Sequence, residues 1–217
     1  MEIISSDRYA INNRSKQEGL VEVIGKNITV ISENRTAVKA GGHVGNEGLN
    51  GTVTIGDATT EIITIKGRAQ NPHKDNQPNE HKGAVVYAQS GTVNLSATDE
   101  IEITNTNTEN RVGKAVAVYD GGNINIKDTA NLAIDGEVYA TGKGFVNITD
   151  VGNVTITEAK EHGISVNGSG KVDVTAENVT IDSSKAAVWV DDLGDNAVNI
   201  KASGNVDLTS KDRFAVN

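Results

Sequence analysis

Along most of the chain, apolar and polar residues alternate in short bursts separated by polar breaks. Ala187-Val188-Trp189-Val190 is followed by Ala197-Val198-Asn199-Ile200 and then by Asn205-Val206-Asp207-Leu208. The phrase before it has the same three parts: Gly163-Ile164-Ser165-Val166, Lys171-Val172-Asp173-Val174 and Asn178-Val179-Thr180-Ile181. A period of two places successive side chains on opposite faces of a strand, and no helical spacing intervenes. Three short strands recurring about every two dozen residues mark a solenoid, whose turns bury their apolar side chains against one another.

The second strand of each repeat is the best ruler. Its inward pairs are Val21/Val23, Val53/Ile55, Val93/Leu95, Ile124/Ile126, Val146/Ile148, Val172/Val174 and Val198/Ile200. The third strand follows with Ile28/Val30, Ile63/Ile65, Ile101/Ile103, Leu132/Ile134, Val154/Ile156, Val179/Ile181 and Val206/Leu208. Matching positions lie seven or eight residues apart, except in the second repeat, where they lie ten apart. The first strand is less uniform, with Ile11, Val38, Val85, Val116, Val138, Ile164, Val188 and Val216 at equivalent places. The fold expected is all-β: a right-handed parallel β-helix of about seven coils with three short strands per coil, roughly 30–35 Å long. A sandwich or barrel of short strands has no such fixed repeat. Residues 1–217 read as a single domain that starts and stops inside the repeat, and so as a piece excised from a longer chain.

Composition narrows the class. Apolar residues make up 36% and aromatics 3%, too few for a thick globular core but enough for a thin continuous stack. A net charge of −9 argues against nucleic-acid partners and against an anionic membrane surface, and no stretch is apolar enough to insert into a membrane. With no cysteine there is no disulfide and no thiolate metal site.

Three insertions interrupt the rhythm, at Gly41–Gly51, Thr104–Gly113 and, longest, residues 66–82. Insertions in a solenoid become surface loops that often carry function. The longest holds both prolines together with His73, Lys74, Asp75 and His81, a cluster of mixed charge suited to binding a partner. Its spacing matches no metal motif, so no metal is assigned there. His43 and His162 stand alone and read as solvated turn residues. Asp191, Asp192 and Asp195 crowd one turn, which lacks a calcium-loop pattern and reads as a solvated Asx turn.

The outward positions carry the remaining chemistry. The second strand presents Glu22, Thr54, Asn94, Asn125, Asn147, Asp173 and Asn199; the third presents Thr29, Thr64, Glu102, Ala133, Thr155, Thr180 and Asp207. These are amide and hydroxyl ladders without paired catalytic carboxylates, and no cofactor fingerprint accompanies them, so neither an enzyme nor a cofactor is expected. The first strand presents Lys39, Val86, Ala117, Tyr139, Ser165 and Trp189. Tyr139 and Trp189 share a stripe that can serve as a platform for a sugar ring or a partner protein; the other reading of Trp189 is that it lies under a neighbouring loop.

The phrases Gly122-Asn123-Ile124-Asn125-Ile126, Gly152-Asn153-Val154-Thr155-Ile156 and Gly204-Asn205-Val206-Asp207-Leu208, with the cysteine-free, aromatic-poor and acidic composition, resemble the passenger domains of bacterial type V-secreted proteins. These are autotransporter adhesins and filamentous-haemagglutinin-like exoproteins. The resemblance implies a secreted fragment displayed at the bacterial surface from the outer membrane. It implies attachment to host or bacterial surface glycans or proteins, or self-association. The alternatives are a β-helical polysaccharide lyase or hydrolase and a passive stalk.

Overall fold

The computed structural model describes residues 1–16, 18–42, 49–69, 83–107, 114–191 and 197–217. Strands and turns make up these residues, with no helix among them, and every strand-to-strand pairing among them is parallel. Parallel neighbours cannot be joined by a tight hairpin, so the chain travels elsewhere before returning. Here it returns after one repeat, and the strands fall into three ladders.

The first ladder is a seven-stranded sheet of Ile11–Asn13, Val38–Gly41, Ala84–Gln89, Lys114–Tyr119, Glu137–Thr141, His162–Asn167 and Ala186–Val190, adjacent in that order. The other two ladders form one curled sheet of twelve strands. The second ladder runs from Leu20–Val23 through Thr52–Ile55 and Thr92–Ser96 to Ala197–Ala202. The third runs from Glu2–Ser5 through Asn27–Ser32, Ile62–Gly67 and Glu100–Asn105 to Val206–Ser210.

Between them lie Asn123–Asp135, Phe145–Ala159 and Lys171–Ser183, each long enough to serve both ladders in turn. Asn123–Asp135 pairs with Thr92–Ser96 through its first half and with Glu100–Asn105 through its second. The expectation of three separate short strands in every repeat is thus corrected in the middle of the molecule, where the second and third fuse around a corner. The backbone turns that corner at Asp128 (φ 60°) and Asp150 (φ 55°), left-handed positions that aspartate accepts more readily than most residues.

The registers of the second and third ladders match the alternation. Val21, Val53, Val93, Ile124, Val146, Val172 and Val198 are successive partners, and so are Ile28, Ile63, Ile101, Leu132, Val154, Val179 and Val206. Most of these side chains are fully buried in one continuous apolar core. Glycine is required where successive turns touch. A Cβ on Gly122 or Gly170 would lie 2.5 Å from the Ala88 carbonyl oxygen or 2.4 Å from that of Ala140, inside contact distance.

The first ladder needs a correction. Val86, not Val85, pairs with Val38 and Val116, and the residue opposite Lys39 is Tyr87 rather than Val86. Ala84-Val85-Val86-Tyr87-Ala88 is apolar throughout and buried throughout, so alternation cannot fix its phase. The insertions also begin later than the sequence places them. Lys66 and Gly67 close a strand, as do Thr104 and Asn105. His43, His73, Lys74, Asp75, His81, Asp192 and Asp195 lie outside the described residues.

Candidate functional site

The outward face of the first ladder holds a second apolar cluster, separate from the core, made of Ala84, Tyr87, Ala117 and Tyr119 with Tyr139 packed against it. Strand geometry places these side chains together. Tyr87, Ala117, Tyr139, Ser165 and Trp189 are successive cross-strand partners, one per repeat. The Tyr87 and Tyr119 ring centroids are 5.2 Å apart and those of Tyr119 and Tyr139 5.5 Å, both pairs tilted, within the range of favourable aromatic contact. All four tyrosines of the chain and its single tryptophan belong to this face or lie over it, Tyr9 by covering Lys39.

Polar groups close the stripe on both sides. The Lys39 ammonium lies 5.2 Å from the Tyr9 ring centre and 5.4 Å from that of Tyr87, and its residue is 1% exposed. Burial, with the Arg14 charge as a smaller cause, lowers its pKa to about 8, while the two ring faces favour the charged form. The Tyr87 hydroxyl donates to Gln89 Oε1 at 2.6 Å, and Gln89 Nε2 donates to Asp120 Oδ2 at 2.8 Å. Burial raises the hydroxyl pKa of Tyr87 and of Tyr119, so both rings stay neutral.

Farther along, Glu137 is held from two directions. Lys114 Nζ donates to its Oε2 at 2.8 Å and the Ser165 hydroxyl donates to its Oε1. The same ammonium sits 4.0 Å from the centre of the Tyr139 ring. A hydroxyl beside a carboxylate looks like an activated nucleophile, but Ser165 is only 4% exposed and the Glu137 oxygens are already engaged. The cluster acts as an ionic clasp between adjacent strands.

Trp189 ends the stripe. Its ring stacks on His162 at 5.0 Å with 25° between the planes, and both residues are half-buried. His162 therefore departs from the solvated turn position expected of it. It opens the strand His162–Asn167, and burial lowers its pKa, favouring the neutral imidazole. Its Nδ1 is buried and has no hydrogen-bond partner among the described residues.

Of the residues singled out from sequence, Lys39, Tyr139, Ser165 and Trp189 are thus brought onto one stripe, whereas Tyr87, Tyr119, Lys114, Glu137 and Gln89 were missed as members of a cluster. A signal for them existed: four of the five Tyr and Trp residues sit within a first strand, and the fifth, Tyr9, precedes one by two residues.

The outward face of the second ladder forms hydrogen bonds between residues its sequence singled out, whereas in the third ladder the bonds run through Asn131, Asn153 and Asn178, one position before the inward pair, rather than through the threonines expected. Asn125 Nδ2 donates to Asn94 Oδ1 at 2.9 Å, and Asn153 and Asn178 donate to Asn131 and Asn153 respectively, each at 3.0 Å. Each amide thereby satisfies its neighbour one repeat away. Among the described residues no three metal-binding side chains converge. No protein-family model matches the sequence, and comparison with curated proteins and with solved structures gave no match.

Proposed function

We propose that the chain is a right-handed parallel β-helix of about seven coils and that it serves as an attachment module of the type V-secreted passenger class, displayed at a bacterial surface. The second ladder counts seven strands or strand halves, and parallel crossovers favour the right hand. Its binding surface is the Tyr139–Trp189 end of the first ladder, and its ligand is a surface glycan or protein.

One observation carries the reading: in a chain with so few aromatic residues, the tyrosines and the tryptophan gather on a single outward face. Tyr87 and Tyr119 are 5% and 4% exposed, so they support the face rather than meet a ligand. Tyr139 and Trp189 remain half-exposed at its end. Rigid aromatic surface of this kind binds with little loss of side-chain entropy. The apolar interior is filled, and the amide ladders of the other faces already satisfy one another.

The test is a panel of immobilised glycans and surface proteins probed with the chain and three variants. Trp189→Ala is expected to weaken the strongest interaction by about 1–3 kcal/mol with the fold intact, as for an interface anchor. Tyr139→Ala should weaken it less, and Asn125→Ala on the second ladder should leave it unchanged. Undiminished binding by folded Trp189→Ala, with loss on deleting residues 70–82, would move the site to that insertion.

A further inference from the structure

Two adjacent residues at the corner between the third and first ladders carry buried polar atoms that the fold leaves unsatisfied. Ser183 is 2% exposed, and neither its hydroxyl nor the buried Asp182 Oδ1 has a hydrogen-bond partner among the described residues. Asp182 Oδ2 lies 3.9 Å from Lys211 Nζ, beyond hydrogen-bonding distance. Buried polar atoms are nearly always paired, so two orphans side by side call for a physical reason. Their strand, Lys171–Ser183, is paired on both of its sides, so neither atom stands at an open edge of the stack.

Equivalent serines elsewhere show what Ser183 lacks. Ser210 is its cross-strand partner; the Ser210 hydroxyl donates to the Lys185 carbonyl at 2.5 Å and accepts from the Arg213 N–H at 3.2 Å. Ser32 does the same with the Arg8 carbonyl and the Arg35 N–H. Those turns take six residues to pass from the serine to Val216 or Val38 in the first ladder, whereas the Ser183 turn reaches Val188 in five. In the shorter turn the Ala186 N–H, three residues on, donates to the Glu161 carbonyl instead. The Ser183 hydroxyl therefore has no task in closing its own turn.

Both residues line a cavity of about 260 Å³, whose wall is completed by Ala159, Lys160, Ser184, Lys211 and Asp212. That volume falls just under the ~300–1,000 Å³ of clefts that hold drug-sized ligands, so it suits a molecule the size of one ring. The lining selects the chemistry. Asp182 Oδ1 can only accept, so a ligand must bring donors; Lys160 and Lys211 can only donate, so it must bring acceptors too. The two ammonium groups offset the carboxylates of Asp182 and Asp212, which leaves no net charge to hold an ion. An anion such as sulfate brings no donor to Asp182, and a cation offers nothing to the lysines. Neighbouring hydroxyls of a sugar ring donate and accept at once. Ala159 is the one apolar residue of the lining, so hydrogen bonds rather than ring stacking would hold the sugar.

We propose that this cavity is a binding site for a single neutral sugar ring. Its adjacent hydroxyls donate to Asp182 Oδ1, exchange hydrogen bonds with Ser183 Oγ and accept from Lys160 and Lys211. The site is separate from the Tyr139–Trp189 surface and does not rest on the attachment reading.

A titration of the ¹⁵N-labelled chain with the methyl glycosides of glucose, galactose, mannose and N-acetylglucosamine, followed by amide chemical shifts, tests this. At least one sugar should move the amides of residues 159–160, 182–184 and 211–212 in a saturable way, and sodium sulfate should not. Ser183→Ala removes a hydroxyl that bonds to nothing in the chain, so its fold should be unchanged, while affinity for that sugar should fall by about threefold or more. Asp182→Ala removes the charged acceptor and should weaken binding by about tenfold or more. Trp189→Ala should bind the sugar like wild type. No sugar moving those amides at tens of millimolar, sulfate moving them in place of a sugar, or affinity unchanged in folded Ser183→Ala and Asp182→Ala would each overturn the proposal. Sugar binding lost in Trp189→Ala but kept in Ser183→Ala would overturn it as well, and would place the sugar on the aromatic stripe.

Discussion

The first ladder and the second ladder are built from the same parallel pairings, yet they stand in different relation to water. In the second ladder Thr52–Ile55 and Thr92–Ser96 alternate, with inward Val and Ile fully buried and outward Thr and Asn partly solvated. In the first, Ala84–Gln89 is buried at every position, and Lys114–Tyr119 at every position after its first. One sheet face is dry and the other wet in the second ladder; both are dry over the middle of the first. A strand with two dry faces must satisfy polar groups internally, which is why the first ladder carries the Lys114–Glu137–Ser165 clasp and the Tyr87–Gln89–Asp120 relay while the second gets by with amide ladders.

The largest effect that separates the two is expected in the shared core. Val174 is 1% exposed and sits between Ile148 and Ile200. Val174→Asp would bury an unpaired charge there and should cost several kcal/mol, enough to abolish cooperative unfolding of the neighbouring repeats. A thermal melt that matches wild type would show the inward register to be wrong.

Next comes the dry outer face. Glu137→Ala leaves the Lys114 ammonium and the Ser165 hydroxyl without their acceptor, and about 2–4 kcal/mol should be lost in urea unfolding. Adding Lys114→Met should recover part of it, since the buried charge is then gone. If the double variant is no more stable than the single, the clasp is not a desolvated pair.

Lys39 gives the comparison a pH signature. Its folded pKa of about 8 lies below the ordinary value of 10.5, so between those values the unfolded chain holds more protons and stability rises with pH. Below pH 8 both states are protonated and the full cost of the buried ammonium is present. Between about pH 8 and 9.5, wild type should gain on the order of 1–2 kcal/mol that Lys39→Met does not gain. Above pH 10 the raised pKa of Tyr87 and Tyr119 works in the opposite sense, because tyrosines of the unfolded chain ionise first. Parallel pH curves for the two proteins would remove Lys39 from the account.

The smallest effect belongs to the wet face. Asn125→Ala deletes one rung of a solvated ladder and should change stability by about 0.5 kcal/mol or less, readable as a small shift in the urea midpoint. A loss comparable to that of Glu137→Ala would mean that the two faces are not different in kind.

The same contrast explains how much of the molecule could be read from its residues. In the second and third ladders an inward pair recurs in every repeat, with a polar residue between its members in every case but Ala133, and each cross-strand partner follows from counting. The first ladder resists because Val85 and Val86 are both apolar and both buried, and a one-residue slip there hid Tyr87. Tyr119 escaped because the rings it meets, Tyr87 and Tyr139, lie one repeat away on either side. The fusion of second and third strands was not legible either. Two of the three fused strands turn the corner with left-handed backbone, at Asp128 and Asp150, and aspartate reads in sequence as a turn residue rather than as a bend within a strand.

The central claim is that, among the described residues, the outer face of the first ladder is an aromatic cluster closed at Tyr87 and Tyr119 and half-exposed at its Tyr139–Trp189 end. Hydroxyl-radical footprinting of the native chain, read residue by residue by mass spectrometry, tests it most directly. The account predicts strong protection of Tyr87 and Tyr119, intermediate modification of Tyr139 and Trp189, and full modification of the exposed Phe214. Modification of Tyr87 and Tyr119 at the rate of Phe214 or of the unfolded chain would contradict it.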